Sequence, residues 1–369
     1  MSGTKLGVGV IGTHAWANKA HLPGYVAHEN VDLVAVCDVE EDRARAAAEA
    51  FGARKVYTSA EEMIADPEVQ MVDVCTPTHT HLPLSLAAIE AGKHVLSEKP
   101  LHTEAGPAFD AAARADAAGV RTKLGFTFRY SPAIRQLREW IEDGTLGEIY
   151  HINGFEQNSQ WLDPDVPLRQ VPPGADRDSL IPASIVGYGS HLIDLMRWLG
   201  GEFSAVTSSM RNFVPERVVR GEDGRQKIMI DDGTVALVEY AAGMIGTIQT
   251  SYVTVGNYPG VEIRVYGSKG AAIARLISEF DVAETLMYAK PDAVEFVPFE
   301  LTEAALPPGT TLATPWPELY YRNLVRHFVD EIVEGRPQEC TFYDGAKSQE
   351  IVDAVILAHR ERRWVSLGA

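Results

Sequence analysis

A few short segments of this chain carry residue types suited to holding a nucleotide and moving a proton. Val8-Gly9-Val10-Ile11-Gly12-Thr13-His14-Ala15-Trp16-Ala17 is an apolar run broken by Gly12 and followed by helix-forming residues. Glycine at such a junction permits a sharp turn, and the N–H groups opening the next helix are natural partners for a pyrophosphate. Gly12, Thr13, His14, Ala15 and Trp16 are therefore candidate phosphate-side residues. The second and third glycine positions of such a turn hold His14 and Ala17, so an ordinary strand-to-helix turn fits equally well. Asp38 ends the second apolar run, 26 residues beyond Gly12. A carboxylate near that spacing accepts the hydroxyls of an adenosine ribose, and a helix N-cap is the alternative role. Val39-Glu40-Glu41-Asp42 follow, with no cation before Arg43, so a 2′-phosphate would meet negative charge. The expected cofactor is NAD, with NADP disfavoured.

Val74-Cys75-Thr76-Pro77-Thr78-His79-Thr80-His81 ends a further apolar run, and Ser97-Glu98-Lys99-Pro100 ends the next. Ligands of open α/β sheets bind at the carboxyl ends of the strands, which makes Thr76, Pro77, His81, Glu98 and Lys99 candidates for the cofactor edge. A lysine beside an oxidised nicotinamide loses its proton more readily, because the ring is positive and the site partly dry. It can then bond a substrate hydroxyl and accept or return its proton. A solvated surface lysine is the alternative. His79 and His81 have no cysteine or carboxylate at ligand spacing, and no metal is expected.

The elements that must carry these residues alternate in the first third of the chain. Runs at Leu6–Ile11, 33–37, 71–75, 94–96 and Thr122–Leu124 read as strands, with helices at Glu41–Phe51, 84–91 and Ala105–Ala118 between them. Gly52, Gly92 and Gly119 fall where helices end. This alternation predicts a parallel sheet with right-handed crossovers, a Rossmann-type domain over residues 1–125. Beyond it the pattern changes to a helix at 133–142, a strand at 148–157, a Pro/Asp/Gly-rich loop at 163–182 and a helix containing His191-Leu192-Ile193-Asp194. Long β-type runs fill residues 205–299, and helices at 317–334 and 343–362 close the chain. Residues 126–369 are thus expected to form an α+β domain for substrate binding and oligomerisation, with a large, mainly antiparallel sheet.

Length and composition agree with two globular domains: 369 residues, 46% hydrophobic and 23% charged. The 33 basic and 51 acidic residues leave a formal net charge of −18, which argues against nucleic acid and anionic membranes. No apolar run is long enough to span a bilayer, and Met1-Ser2-Gly3-Thr4-Lys5 has no leader pattern. Cys37, Cys75 and Cys340 are too widely spaced for a disulfide framework or zinc site, and they read as reduced thiols of a cytoplasmic protein.

Ile11-Gly12, Asp38, Cys75-Thr76-Pro77, His81, Ala91-Gly92-Lys93-His94-Val95 and Glu98-Lys99-Pro100 resemble the Gfo/Idh/MocA family of oxidoreductases. The resemblance continues through Gly125-Phe126-Thr127-Phe128-Arg129-Tyr130, Gly147-Glu148-Ile149, Gly189-Ser190-His191-Leu192-Ile193-Asp194, Val265-Tyr266-Gly267-Ser268-Lys269-Gly270 and Asp344-Gly345. It implies an NAD(P)-dependent dehydrogenase or reductase of sugars, inositols or related polyols. It also implies that Lys99 is the catalytic lysine, His191 the active-site histidine and Asp194 a substrate-contacting aspartate. His191 and Asp194 lie three apart, which puts them on one helix face; taken alone, His191 also fits a satisfied core histidine. Arg129 is expected to contact cofactor and substrate, and Tyr188 and the segment from Trp161 to Arg169 to complete the pocket.

Two positions depart from the family pattern: His14 replaces a glycine, and Gly187 stands where many members carry an aspartate four residues before the histidine. The expected function is hydride transfer between NAD and a secondary alcohol or ketone of a sugar, inositol or polyol, with Lys99 and His191 as acid/base groups. The alternatives are NAD-dependent glycoside cleavage by transient oxidation, and a non-catalytic NAD- and sugar-binding sensor. A homodimer or homotetramer is expected from an antiparallel sheet with one open face.

Overall fold

The computed structural model describes residues 5–168, 171, 174–256, 260–277, 284–303 and 306–368. Met1–Thr4 and Arg169 lie outside them. The chain forms two compact units, one comprising Met1–Ser131 and Glu303–Glu350, the other Pro132–Thr302 and Ile351–Ala369.

In the first unit β1 (Leu6–Ile11) leads into a π-helical turn, Ala17–His21, and a short helix α1 (Leu22–Val26). Then come β2 (Val31–Cys37), α2 (Glu41–Phe51), β3 (Lys55–Tyr57), α3 (Ala60–Ala65), β4 (Met71–Val74) and α4 (Thr78–Glu90). β5 (His94–Ser97), α5 (Ala105–Ala118), β6 (Thr122–Leu124) and a 3-10 turn at Thr127–Tyr130 complete the series. The strands pair in parallel in the order β3-β2-β1-β4-β5-β6. Strand order reverses between β1 and β4, and a doubly wound sheet opens its ligand crevice at the carboxyl ends of such a pair. β1 is buried along its whole length, as a strand covered on both faces requires. The short β3 and α3 were not legible in the sequence: Lys55-Val56-Tyr57 is too brief and too polar to show a period.

The second unit opens with α6 (Pro132–Glu142), which buries Ala133, Ile134, Leu137 and Trp140 on one stripe. β7 (Ile149–Gln157), α7 (Gly189–Gly200), β8 (Phe203–Arg211), β9 (Glu216–Val218), β10 (Arg225–Lys227), β11 (Gly233–Tyr240) and β12 (Ile245–Ser251) follow. β13 (Gly260–Gly267), β14 (Ala271–Ile277), β15 (Thr285–Ala289) and β16 (Val297–Phe299) come next. The chain then returns to the first unit with the long helix α8 (Trp316–Glu334) and the start of α9 (Phe342–Glu361), whose later part and a last strand, β17 (Val365–Ser366), belong to the second. The large sheet runs β16-β15-β14-β13-β7-β12-β11-β8-β17. It is mainly antiparallel, but its central β7–β12 pair is parallel, with Ile245 opposite His151 and Ser251 opposite Gln157. Along β11, Ala236 and Val238 are buried while Val235 and Leu237 are exposed, so one face of the sheet packs and the other meets solvent.

The units interleave along the chain, unlike a single cut after residue 125. The reason is burial. The parallel sheet needs cover on both faces: one face packs on α3, α4 and α5 with Phe342 and Ala346, the other on α1 and Leu324, Val325, Phe328 and Val329 of α8. The returning segment also brings Glu331, whose carboxylate lies 2.5 Å from the fully buried Lys123 ammonium of β6. A lysine buried inside a strand requires such a partner.

Candidate active site

In the first unit the carboxyl edge of the sheet gathers the nucleotide candidates. Gly12 has φ of +90°, and a Cβ there would stand 2.2 Å from the carbonyl oxygen of Cys75. Only glycine fits, because the turn needs both the left-handed backbone and the close approach to the loop after β4. Thr13 is buried and donates to Asp38 Oδ2 from its backbone N at 2.9 Å and its hydroxyl at 3.1 Å. Oδ1 of Asp38 accepts from Glu40 N at 3.0 Å and from Arg43 at 3.1 and 3.3 Å. Burial pushes the Asp38 carboxyl up, but these donors hold it below the usual carboxylate range. Asp38 is not the N-cap of α2, which is Glu40. A cation does stand at Asp38, contrary to the expectation from the acidic run, because Arg43 lies one helical turn past Glu40 and folds back. His14 and Ala15 are exposed at the mouth of this turn.

A glycine cradle, a fixed carboxylate at the end of β2 and a helical start between them fit the adenosine diphosphate half of a dinucleotide. Pro77 is the N-cap of α4, and the Thr76 hydroxyl lies 2.7 Å from that of Thr80. His81 is buried, with Nδ1 at 2.7 Å from the Pro100 carbonyl and Nε2 at 2.7 Å from the Thr76 carbonyl. Its ring ties the loops after β4 and β5 to each other. Lys99 is half-buried two residues past β5, and the Lys99–Pro100 peptide is cis. Glu98 Oε2 accepts the backbone N–H of Lys99 at 3.1 Å, and Oε1 accepts Trp16 Nε1 at 3.1 Å. Trp16 thus reaches back to the Glu98–Lys99 segment.

Arg129 lies in the 3-10 turn after β6. Its guanidinium is buried and lies 3.4 Å from Asp344 Oδ1 near the start of α9. A guanidinium so placed joins the 3-10 turn to α9. The sequence could not reveal this, because Arg129 and Asp344 are far apart along the chain.

In the second unit His191 and Asp194 lie on α7, both buried. α7 comes unusually close to β7 at Gly154, where a Cβ would stand 2.5 Å from Met196 Sδ. The segment leading into α7 is held by the fully buried Asp231. It accepts from Ser184 N at 2.9 Å, Ser184 Oγ at 2.7 Å, Ile185 N at 3.2 Å and Thr234 Oγ1 at 2.8 Å, and from Ala183 N. Burial pushes the Asp231 carboxyl up, and these donors offset only part of that effect.

The space beside Gly187 is filled. A Cβ on Gly187 would stand 2.5 Å from the Tyr252 hydroxyl, which donates to the Ala183 carbonyl at 3.0 Å. Trp161 packs edge-on against Tyr252 with ring centroids 4.5 Å apart, and Tyr188 joins the same apolar cluster. The structure therefore brings Gly187, Tyr188 and Trp161 together around Tyr252. Tyr252 and Asp231 carry no local signal in the sequence. Asp73 did carry one, as a charge inside the apolar run Met71-Val72-Asp73-Val74 that β4 buries completely. Among the described residues no group of three His, Cys, Asp or Glu side chains could hold a metal ion, and no helix is long and apolar enough to cross a membrane.

Comparison with known proteins agrees with this geometry. Residues 6–126 match the model of the oxidoreductase family with an NAD-binding Rossmann fold, GFO_IDH_MocA, and residues 134–273 match the GFO/IDH/MocA C-terminal domain. Levoglucosan dehydrogenase of Pseudarthrobacter phenanthrenivorans is 27% identical, over 98% of this chain and 98% of that protein. Inositol 2-dehydrogenase 4 of Saccharopolyspora erythraea is 30% identical over 68% of each chain. A solved structure of levoglucosan dehydrogenase in complex with NADH and levoglucosan has the same fold, with a TM-score of 0.85 at 24% identity, covering 99% of this chain and 100% of that one.

Proposed function

The chain belongs to the Gfo/Idh/MocA family of NAD-dependent sugar and polyol dehydrogenases, and on that premise we propose that it transfers a hydride between NAD and a ring carbon of a cyclic sugar or inositol. The observation that carries this reading is the placement of Lys99. It stands two residues past β5 at the sheet edge that also holds Gly12 and Asp38. NAD supplies the hydride acceptor or donor. Gly12 and the helical start after it hold the pyrophosphate, and Asp38 accepts the ribose hydroxyls. Lys99 in its amine form takes the proton from the substrate hydroxyl during oxidation and returns it during reduction. His191 assists proton transfer, while Asp194, Tyr188 and Trp161 orient the sugar.

A panel of sugars, anhydrosugars and inositols with NAD, followed by NADH absorbance, tests the activity. Lys99→Met should lower turnover by about a hundredfold or more and leave NAD affinity nearly unchanged. Near-native turnover in that variant would place the acid/base group elsewhere. NADH held on the protein while a glycoside is cleaved would favour the transient-oxidation enzyme. Sugar binding with no turnover on any substrate would favour the sensor.

Two coarser features complete the proposal. The solvent-facing side of the large sheet presents Val235, Leu237 and Ile245, apolar surface that a second copy would cover in a homodimer or homotetramer; sedimentation would decide. All three cysteines are buried free thiols, which suits a reducing cytoplasm.

A further inference from the structure

Behind Lys99 the first unit holds a chain of acid and base groups that the hydride reading leaves unused. His21 closes the π-helical turn, with Nδ1 at 2.8 Å from Asp73 Oδ2 and Nε2 at 3.2 Å from Glu98 Oε1. The side chains of His21 and Asp73 are fully buried, and that of Glu98 is 14% exposed. Tyr25 donates to the same Asp73 oxygen at 2.8 Å. Asp73 Oδ1, also buried, has no hydrogen-bond partner among the described residues. The Tyr321 ring lies over His21 at 4.2 Å between centroids, and the buried Cys75 thiol completes the groups that face it.

Both ring nitrogens point at carboxylate oxygens, which only accept. Both contacts are hydrogen bonds only when the ring carries a proton on each nitrogen. The local helix geometry serves the same contact. Trp16 and His21 are five residues apart, which on a regular α-helix turns them about 140° from each other. In a π-turn residues five apart stack, as the Leu22 N–H bonding the Ala17 carbonyl shows. The turn thus brings Trp16 and His21 onto one Glu98 oxygen, while the other Glu98 oxygen holds the backbone of Lys99.

We propose that His21 is a positioning residue for Lys99, held as an imidazolium between Asp73 and Glu98 so that the Glu98 carboxylate is fixed and partly neutralised beside the lysine. The inference rests on Lys99 carrying the proton transfer. With His21 charged, the two carboxylates present one net negative charge to Lys99; with a neutral residue they present both. The extra negative charge holds the lysine's proton more tightly, and the rate limb that follows its loss moves to higher pH. Burial alone would lower the His21 pKa, but Asp73 and Cys75 together more than offset it and the net direction is well upward.

His21→Gln in the full-length protein keeps one N–H donor and removes the charge. The expected result is NAD affinity close to wild type, a sugar KM within about threefold, and an oxidation pH limb about one unit higher, hence about tenfold slower turnover at neutral pH. Nitrogen-15 histidine spectra of the wild type, with His21 assigned through its contact with Tyr321, should show N–H on both ring nitrogens through neutral pH. A neutral tautomer at neutral pH overturns the proposal, and so does an unshifted limb in a His21→Gln protein that binds NAD normally. Lys99→Met keeps the readings separable: near-native turnover there removes the lysine premise, whatever His21 does. If His21→Gln does not fold, the wild-type spectra alone decide.

Discussion

At the scale of single residues the most informative exchange is the one between Gly187 and Tyr252. The phenol hydroxyl lies where a side chain on residue 187 would begin, and its bond to the Ala183 carbonyl keeps it there. Gly187→Ala should therefore destabilise the protein by about 1–3 kcal/mol, the scale of overpacking a filled site. In a Tyr252→Phe background most of that penalty should disappear, which denaturant melts of the four proteins would show. Equal penalties in both backgrounds would mean that the ring simply moves aside. Gly187→Asp should suffer the same clash and add a buried charge beside the Asp231 collar, so it should not raise turnover. His191 and Asp194 were legible as a pair because their spacing is helical. Tyr252 was not, since nothing at the end of β12 announces which loop its hydroxyl meets.

Elements explain why the nucleotide edge has its shape. Gly12 directly follows β1, and its backbone fits against the loop after β4 only without a side chain. Gly12→Ala should cost at least about 1–2 kcal/mol from the left-handed backbone, with the clash on Cys75 adding to it. NAD affinity should fall with it, and calorimetry beside a denaturant melt would measure both. Undiminished affinity would mean that this turn does not carry the pyrophosphate. Another element pair shows how acid should act on the fold. Asp66, the C-cap of α3, accepts from Lys55 at 2.6 Å and Tyr57 at 2.8 Å of β3. The Lys55 hydrogen bond is the main reason its carboxyl is lowered to about 2. A lowered carboxylate stabilises the fold above its unfolded pKa of about 4 and loses that contribution as pH falls through the folded value. Asp66→Asn should therefore flatten the fall of melting temperature between about pH 4 and pH 2. An unchanged slope would show that the contact is worth nothing.

At the scale of the whole molecule, ligand linkage tests the cofactor assignment. A ligand at a hundred times its Kd stabilises the folded state by about 2.7 kcal/mol, so NAD should raise the melting temperature by several degrees. NADP at the same concentration should raise it less. The Asp38 carboxylate would repel a 2′-phosphate unless Arg43, now paired with it, turned to meet the phosphate. An equal or larger shift with NADP would mean that Arg43 does so. The formal charge of −18 leaves the attraction of either dinucleotide to local groups rather than to the overall field.

What the sequence determined by itself was whatever depends on neighbours along the chain. Strand and helix periods, the glycine after β1, the carboxylate after β2 and the lysine after β5 are local patterns, and a parallel sheet brings strand ends of that kind to one edge. Tertiary structure alone decided the rest. α8 returns to the first unit because a parallel sheet must be covered on both faces, and nothing in α8 names the face it will cover. The parallel β7–β12 pairing, the burial of Arg129 on Asp344 and the His21 bridge each join residues far apart in the chain. Such contacts are chosen by which apolar faces find cover and which buried charges find partners, and those are properties of the packed molecule.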